Sequence, residues 1–311
     1  MDVADDYRAQ KEKVMSYRTE RSSGWLRVAV VAGLSILAGA AGAGERGRLP
    51  ESFKWQQGPG EANVGKVAAV KLPEGYLYAG SDDAQALLKA MGNPVDSSVQ
   101  GLMAPGSNLE WFVVFIYEES GYVKDDEKKD LNADKMLAAI KEGEEETNKA
   151  RRKEGYTGLT AIGWEIPPRY NETTHNLEWA IKLRSDEGRV SINHRTKLLG
   201  REGVMDAILV TGEGDLLTVL PTFASCLAGY QYKSGQKYAE YRQGDKLAKY
   251  GLTALVVGGG AAVAAKMGFF GLIAAKLGKL IKPIILGIVA LFAAFGKYFK
   301  RLFGVKTDDK I

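Results

Sequence analysis

Asp125, Asp126 and Glu127 stand side by side in this chain. Adjacent carboxylates can divide acid and base roles or hold a divalent cation. Set before a helix, the same string is a solvated turn whose negative charge faces the helix's positive end. The two histidines are His175 and His194. A hydrolase or a zinc centre would need both to converge with a carboxylate such as Glu178. No HExxH spacing or cysteine cluster accompanies them, so surface or satisfied polar positions are the plainer expectation. Cys226 is the single cysteine, which excludes an internal disulfide framework and a multi-cysteine metal site. It falls in the apolar string 221–227 with nothing nearby to lower its pKa, the setting of a buried structural thiol. No nucleophile elbow, Walker loop or strand-linked dinucleotide fingerprint occurs, and no cofactor is implied. The enzyme this chain could contain is a hydrolase built from Asp125, Asp126, His175 and Glu178.

The elements that would position these groups lie in a body spanning residues 45–245. Residues 64–70 alternate loosely, a turn follows at Leu72-Pro73-Glu74-Gly75, and residues 76–79 complete a predicted hairpin. Ser81 is the expected N-cap of a helix running to Met91, with Asp82 and Asp83 in its first turn and Gly92-Asn93-Pro94 as its stop. Residues 111–117 (WFVVFIY) are continuously apolar, the mark of a central strand buried on both faces. Asp130 or Asn132 caps a long helix towards Arg152. Met136, Leu137 and Ile140 form its inner face, and residues 142–146 and 149–153 are expected in solvent. Four strands then follow as a meander: 160–166, 177–183, 189–199 and 205–211, with 167–176 as a polar connection. A last helix begins near Asp215, runs to Tyr230 and bends at Pro221. The class is α+β, an antiparallel sheet with packed helices.

The ends of the chain differ from this body. Residues 28–43 form an apolar run rich in Val, Leu, Ala and Gly, preceded by Arg18, Arg21 and Arg27. Sixteen helical residues reach roughly 24 Å, short of the ~30 Å hydrocarbon core. Residues 1–44 therefore read as a cleaved export signal, with an uncleaved anchor as the alternative. Residues 251–275 and 283–296 are apolar and flank Lys276, Lys279 and Lys282. Few soluble domains bury so much consecutive apolar sequence, so 246–311 reads as a basic membrane anchor, either one span with an interfacial helix or a two-span hairpin. Gly and Ala side by side there would let another helix pack closely, which leaves a homo-oligomer open. Charge is divided accordingly: 246–311 carries eleven Lys/Arg against two Asp, whereas 28–245 carries 25 basic and 31 acidic groups. A basic tail suits anionic lipid headgroups. An acidic body argues against nucleic acid.

Several short strings carry a family likeness. They are residues 121–127 (GYVKDDE), 148–151 (NKAR), 163–170 (GWEIPPRY), 177–180 (LEWA), 199–203 (LGREG) and 245–252 (DKLAKYGL). Together they resemble a bacterial family of membrane-anchored proteins of unknown function, domain of unknown function 2167, over roughly residues 53–303. Asn171 and His194 depart from the family pattern, where an Asp and an aromatic are usual. The resemblance implies an envelope protein with a C-terminal anchor and no assigned activity. The expected protein is thus a bacterial inner-membrane protein with a periplasmic body that acts as a non-catalytic interaction or sensing module. Loops expected to contact a protein partner carry Gly121, Tyr122, Lys124, Asp125 and Asp126, then Trp164, Pro167, Pro168 and Tyr170, then Gly200 and Arg201.

Overall fold

A computed structural model describes residues 53–106 and 109–258. The expected export segment and the apolar chain after Gly258 lie outside the described residues. Eight strands form one antiparallel sheet. In chain order they are β1 (Trp55–Gln57), β4 (Tyr76–Gly80), β5 (Val99–Pro105), β6 (Phe112–Glu118), β7 (Leu159–Asn171), β8 (Asn176–Ser185), β9 (Val190–Leu199) and β10 (Val204–Gly212). The spatial order is β1-β4-β5-β6-β10-β9-β8-β7. Strand β6 lies at the centre as its apolar run demands, with Phe112, Val113, Val114, Phe115 and Ile116 all buried. The meander β7–β10 forms as expected, and β10 docks it on β6 through Ala207↔Phe115 and its neighbours.

One expected hairpin is replaced by another. Strand β3 (Ala68–Leu72) pairs with β2 (Gly60–Val64) instead of with β4, and Gly65 takes a positive φ in the tight connection. The turn at Leu72-Pro73-Glu74-Gly75 carries the chain out of this small sheet and into the large one, where β4 pairs with β1 and β5. Alternation specifies a strand but not its partner, and here the partner is non-local. Strand β11 (Tyr230–Tyr232) completes the small sheet, in the order β11-β3-β2.

Three helices of ten residues or more cover these sheets. Helix α1 (Ser81–Ala90) packs on β4 and β5. Gly80 is its N-cap, and the Ser81 hydroxyl instead donates to the Val99 carbonyl. Helix α2 (Ala133–Lys153) is capped by Asn132, whose side chain accepts from the Lys135 N–H at 2.9 Å. Helix α3 (Leu216–Ala228) contains Pro221 and packs on β3 and β10. Alternation along the central strands separates two faces. Met205, Ala207 and Leu209 of β10 join Val113, Phe115, Phe223 and the small sheet in one core. On the opposite face, Ile208 and Val210 belong to the cluster under α1, and Val204 to one under α2. Each buried Phe or Leu contributes about 1.5–3 kcal/mol through removal from water.

Between those last two clusters lies a buried charged patch. Arg195 and Lys197 of β9 both reach Asp206 Oδ2, Lys197 at 3.0 Å. The Arg195 guanidinium also sits 5.6 Å over the Trp179 ring. Burial pushes the Lys197 ammonium down, partly offset by Asp206. For Asp206, burial works to raise the pKa, but Arg195 and Lys197 hold it below the ordinary carboxylate value.

The run expected to begin a membrane span starts inside the body. Helix α4 (Leu252–Val257) buries Leu252, Ala254, Leu255 and Val256 and packs on α2. It ends at Gly258, whose φ of 67° is the left-handed C-terminal conformation that glycine favours. Among the described residues, no helix is long and apolar enough to cross a membrane.

Candidate functional site

Most of the family strings meet at one end of the body, where they grip the segment leading into α4. Gly121 comes first because nothing larger fits: its φ is +90° and an added Cβ would lie 2.5 Å from the Lys246 carbonyl oxygen. Its N–H donates to the Glu202 carbonyl at 2.9 Å. Tyr122 then bridges in parallel to Leu247, donating to the Lys246 carbonyl and accepting from the Ala248 N–H. The Tyr122 ring stacks nearly parallel on Tyr238 at 4.5 Å and meets Tyr241 at 4.3 Å. On the neighbouring string, Arg201 forms a fork with Asp245, two bonds of 2.7 Å each. That fork and the Arg242 N–H hold the Asp245 carboxyl down at about 2.

The carboxylates of 118–127 also serve this segment. Gly251 is the N-cap of α4 and has no side chain to cap with. Glu127 supplies the missing acceptor, taking the Thr253 N–H on Oε2 at 2.9 Å. Glu118 accepts from the Tyr250 hydroxyl, and the Glu119 carbonyl from Lys246 Nζ. Asp125 accepts from the Tyr170 hydroxyl at 3.0 Å, and the same hydroxyl lies 3.0 Å from His175 Nδ1. With the phenol O–H directed at Asp125, a hydrogen on His175 Nδ1 gives the order His175 to Tyr170 to Asp125. Burial and the Asp125 bond push the Tyr170 phenol well above its usual range. His175 holds a φ of 54° and lies 4.9 Å from the Tyr238 ring. Its turn is built by Asn171, whose side-chain oxygen accepts the N–H groups of Thr173 and Thr174, as an Asp there also would.

The expected hydrolase set does not assemble. Asp125 and His175 meet through Tyr170, but Asp126 is exposed. Glu178 pairs with Arg169 at 3.0 Å, and strand alternation places it opposite Leu177 and Trp179, which belong to the core on Tyr170's side. His194 lies elsewhere, packed edge-on against Phe223 at 5.4 Å. It is neither on the surface nor satisfied: it is 3% exposed, and its Nδ1 has no hydrogen-bond partner among the described residues. Burial, with Arg169 nearby, holds its pKa down at about 4. Cys226 is buried as expected, and burial raises its thiol to about 11. No three His, Cys, Asp or Glu side chains converge in metal-binding geometry among the described residues.

The remaining expected contact residues divide between exposed and structural positions. Lys124 and Pro167 are exposed, Pro168 half-buried and Gly200 buried. Pro167 and Pro168 belong to β7, which continues to Asn171 where a connection was expected. An edge strand tolerates proline because one side of its backbone needs no partner strand. Trp164 Nε1 donates to the Ala133 carbonyl at the start of α2. Helix α2 then guards the same edge. Asn148 bonds both the N–H and the carbonyl of Leu159, Glu144 accepts from the Ala161 N–H, and Arg151 donates to the Thr157 carbonyl. Asn148 and Arg151 are therefore buried, although the stretch around them reads as solvated.

Sequence reasoning missed Tyr238, Tyr241, Glu118 and Asp245 as members of this cluster. Of these, only Asp245 lay in a string quoted for the family likeness, 245–252.

The family model described as "Protein of unknown function (DUF2167)" matches residues 56–292, most of the chain. No curated protein matches. Among solved structures, cyanobacterial PsbP (CyanoP) from Synechocystis sp. PCC 6803 is similar at 13% identity and a TM-score of 0.33, over 63% of this chain and 99% of that one. The Saccharomyces cerevisiae Ran-binding protein Mog1p is similar at 8% identity and a TM-score of 0.31, over 61% and 100%.

Proposed function

This chain belongs to the DUF2167 family, and we propose that it is a non-catalytic interaction or sensing module tethered to the bacterial inner membrane. The tether is the apolar chain beyond residue 258, and the α+β body faces the periplasm. One observation carries this reading. Polar groups of the strings 121–127 and 199–203 are engaged mainly with one another and with residues 236–253, the stretch that leads into the apolar run. Such a cluster fixes the position of a chain segment; it does not present converging groups to a substrate. Two further features support the reading. Lys276, Lys279 and Lys282 follow the first apolar run, where the positive-inside rule places the cytoplasmic side. The apolar run at 28–43 suits export. The partners are anionic lipid at the basic tail and a protein of the envelope.

The hydrogen-bonded order His175–Tyr170–Asp125 is the one feature that favours the hydrolase reading. Asp126, exposed, and Glu178, paired with Arg169, do not join it, so the four-residue set that reading requires is not assembled.

Alkaline carbonate extraction of cell membranes tests the tether, and protease added to spheroplasts tests the orientation. The expected result is full-length chain in the carbonate pellet and digestion of the body from outside. Release into the carbonate supernatant overturns the tether, and survival of the body under external protease overturns the periplasmic placement.

A further inference from the structure

Residues 233–250 show a different composition to solvent than to the body. Their five bases, Lys233, Lys237, Arg242, Lys246 and Lys249, are all exposed. Their two acids are half-buried and turned to local partners. Asp245 is in the fork with Arg201, and Glu240 accepts from the Lys237 N–H. Tyr241 and Leu247 are 38% and 43% exposed, two of the four large apolar side chains left in solvent among the described residues. The Tyr241 ring is held against Tyr122, so it is presented in a fixed orientation. On the neighbouring loops the exposed acids include Glu119, whose carbonyl accepts from Lys246 Nζ, Asp126, Glu172, paired with Lys128, and Glu202, bonded to Gln236, and Lys124 is exposed beside them. From this segment the chain passes through α4 into the apolar residues 259–265.

Building on the membrane tether, we propose that the exposed side of 233–250 lies directly on an anionic phospholipid surface. Tyr241 and Leu247 enter the boundary between headgroups and acyl chains, and the five bases lie over the headgroups. Each part of the surface fits that occupant. Tyrosine is favoured at the interface because its ring is apolar and its hydroxyl stays wet. Clustered Lys and Arg are drawn to anionic headgroups within a Debye length. A preformed ring stack leaves little side-chain freedom to lose on contact. The surface belongs to the folded body, so its contact with lipid is separate from insertion of the tail.

The test uses the full chain mixed with phosphatidylcholine vesicles with and without phosphatidylglycerol. An environment-sensitive fluorophore is placed at Leu247→Cys, with Leu217→Cys on α3 as the control and Cys226→Ser in both. Expected is a blue-shifted label at 247, quenched by lipid-borne quencher in the phosphatidylglycerol vesicles only, with 217 remaining in water. Lys237→Glu with Lys249→Glu should cut the quenching several-fold, and high salt should do the same. A label at 247 that stays in water while carbonate leaves the chain in the pellet overturns this surface and leaves the tether standing. Carbonate release with the 247 signal intact does the reverse. Shielding at 247 that is indifferent to lipid charge and to the Glu substitutions also overturns the proposal, and assigns the patch to a protein contact.

Discussion

Two polar networks in this molecule use the same chemistry to different ends. In the middle of the large sheet, Arg195 and Lys197 share Asp206, and all three are at most 7% exposed. At the end of the body, Arg201 meets Asp245 in a fork whose members are about 15% exposed. The first network has no water to fall back on, so losing one charge strands the others. The second is wet enough that losing a bond is cheap, but its bonds join residues 44 positions apart and fix where a segment runs. Depth decides whether an ion pair governs stability or position.

The sharpest way to break this contrast is at Asp206. Asp206→Ala leaves two buried cations without a counter-charge and should cost about 3–5 kcal/mol in urea unfolding. A cost near that of an exposed pair would erase the distinction drawn here. Next is Leu252→Ala, which should cost about 2–5 kcal/mol by opening a cavity beneath α4. That loss is expected only if α4 belongs to the body, and an unchanged urea midpoint would say it does not.

His194 offers a pH test. Its folded pKa lies at about 4, below the value of about 6.5 for an unfolded histidine. Between these values the unfolded chain binds a proton that the folded one refuses, so stability falls as pH drops from about 6.5 to about 4. The full fall is about 3 kcal/mol. His194→Phe keeps a ring on Phe223 and removes the orphaned nitrogen. It should flatten that part of the pH profile.

The smallest global effect is expected at the fork. Asp245 has a folded pKa of about 2, below the ordinary value of about 3.9. Its contribution is present above that ordinary value and is lost as pH falls towards about 2. Asp245→Asn removes that contribution at neutral pH, where solvent screening of the pair keeps the loss small, so the unfolding midpoint should fall only slightly while amide exchange at 201 and 242 speeds. Equal exchange in both proteins would remove the positional role given to this pair.

Legibility varied across the fold for physical reasons. Residues 111–117 could be placed because a continuous apolar run of strand length must be buried on both faces, and β6 is. The four-strand meander could be placed because each turn between its strands carries its own local signal. A hairpin was expected between β3 and β4 because the strands on either side of Pro73-Glu74-Gly75 look alike whether they pair together or part for different sheets. In β9, Asn193, Arg195 and Lys197 alternate with Ile192, His194 and Thr196, so one polar face in solvent is the natural reading. The structure buries both faces, and nothing within the strand announces that.

The candidate site divides in the same way. Gly121, Tyr122, Asp125, Tyr170, Gly200 and Arg201 could be singled out as short strings, but their roles could not. Glu127 caps a helix 126 positions away, and Tyr238 stacks on a ring more than a hundred positions before it. Local patterning by itself determined the central strand, the four-strand meander, the three longer helices and the α+β class, because backbone propensity and apolar periodicity act over a few residues, and the family likeness came from short strings. The tertiary structure alone decided which strands pair, which charges are buried, and that the start of the C-terminal apolar run packs against the body. Those outcomes depend on contacts between distant segments, whose energies no single stretch of chain contains.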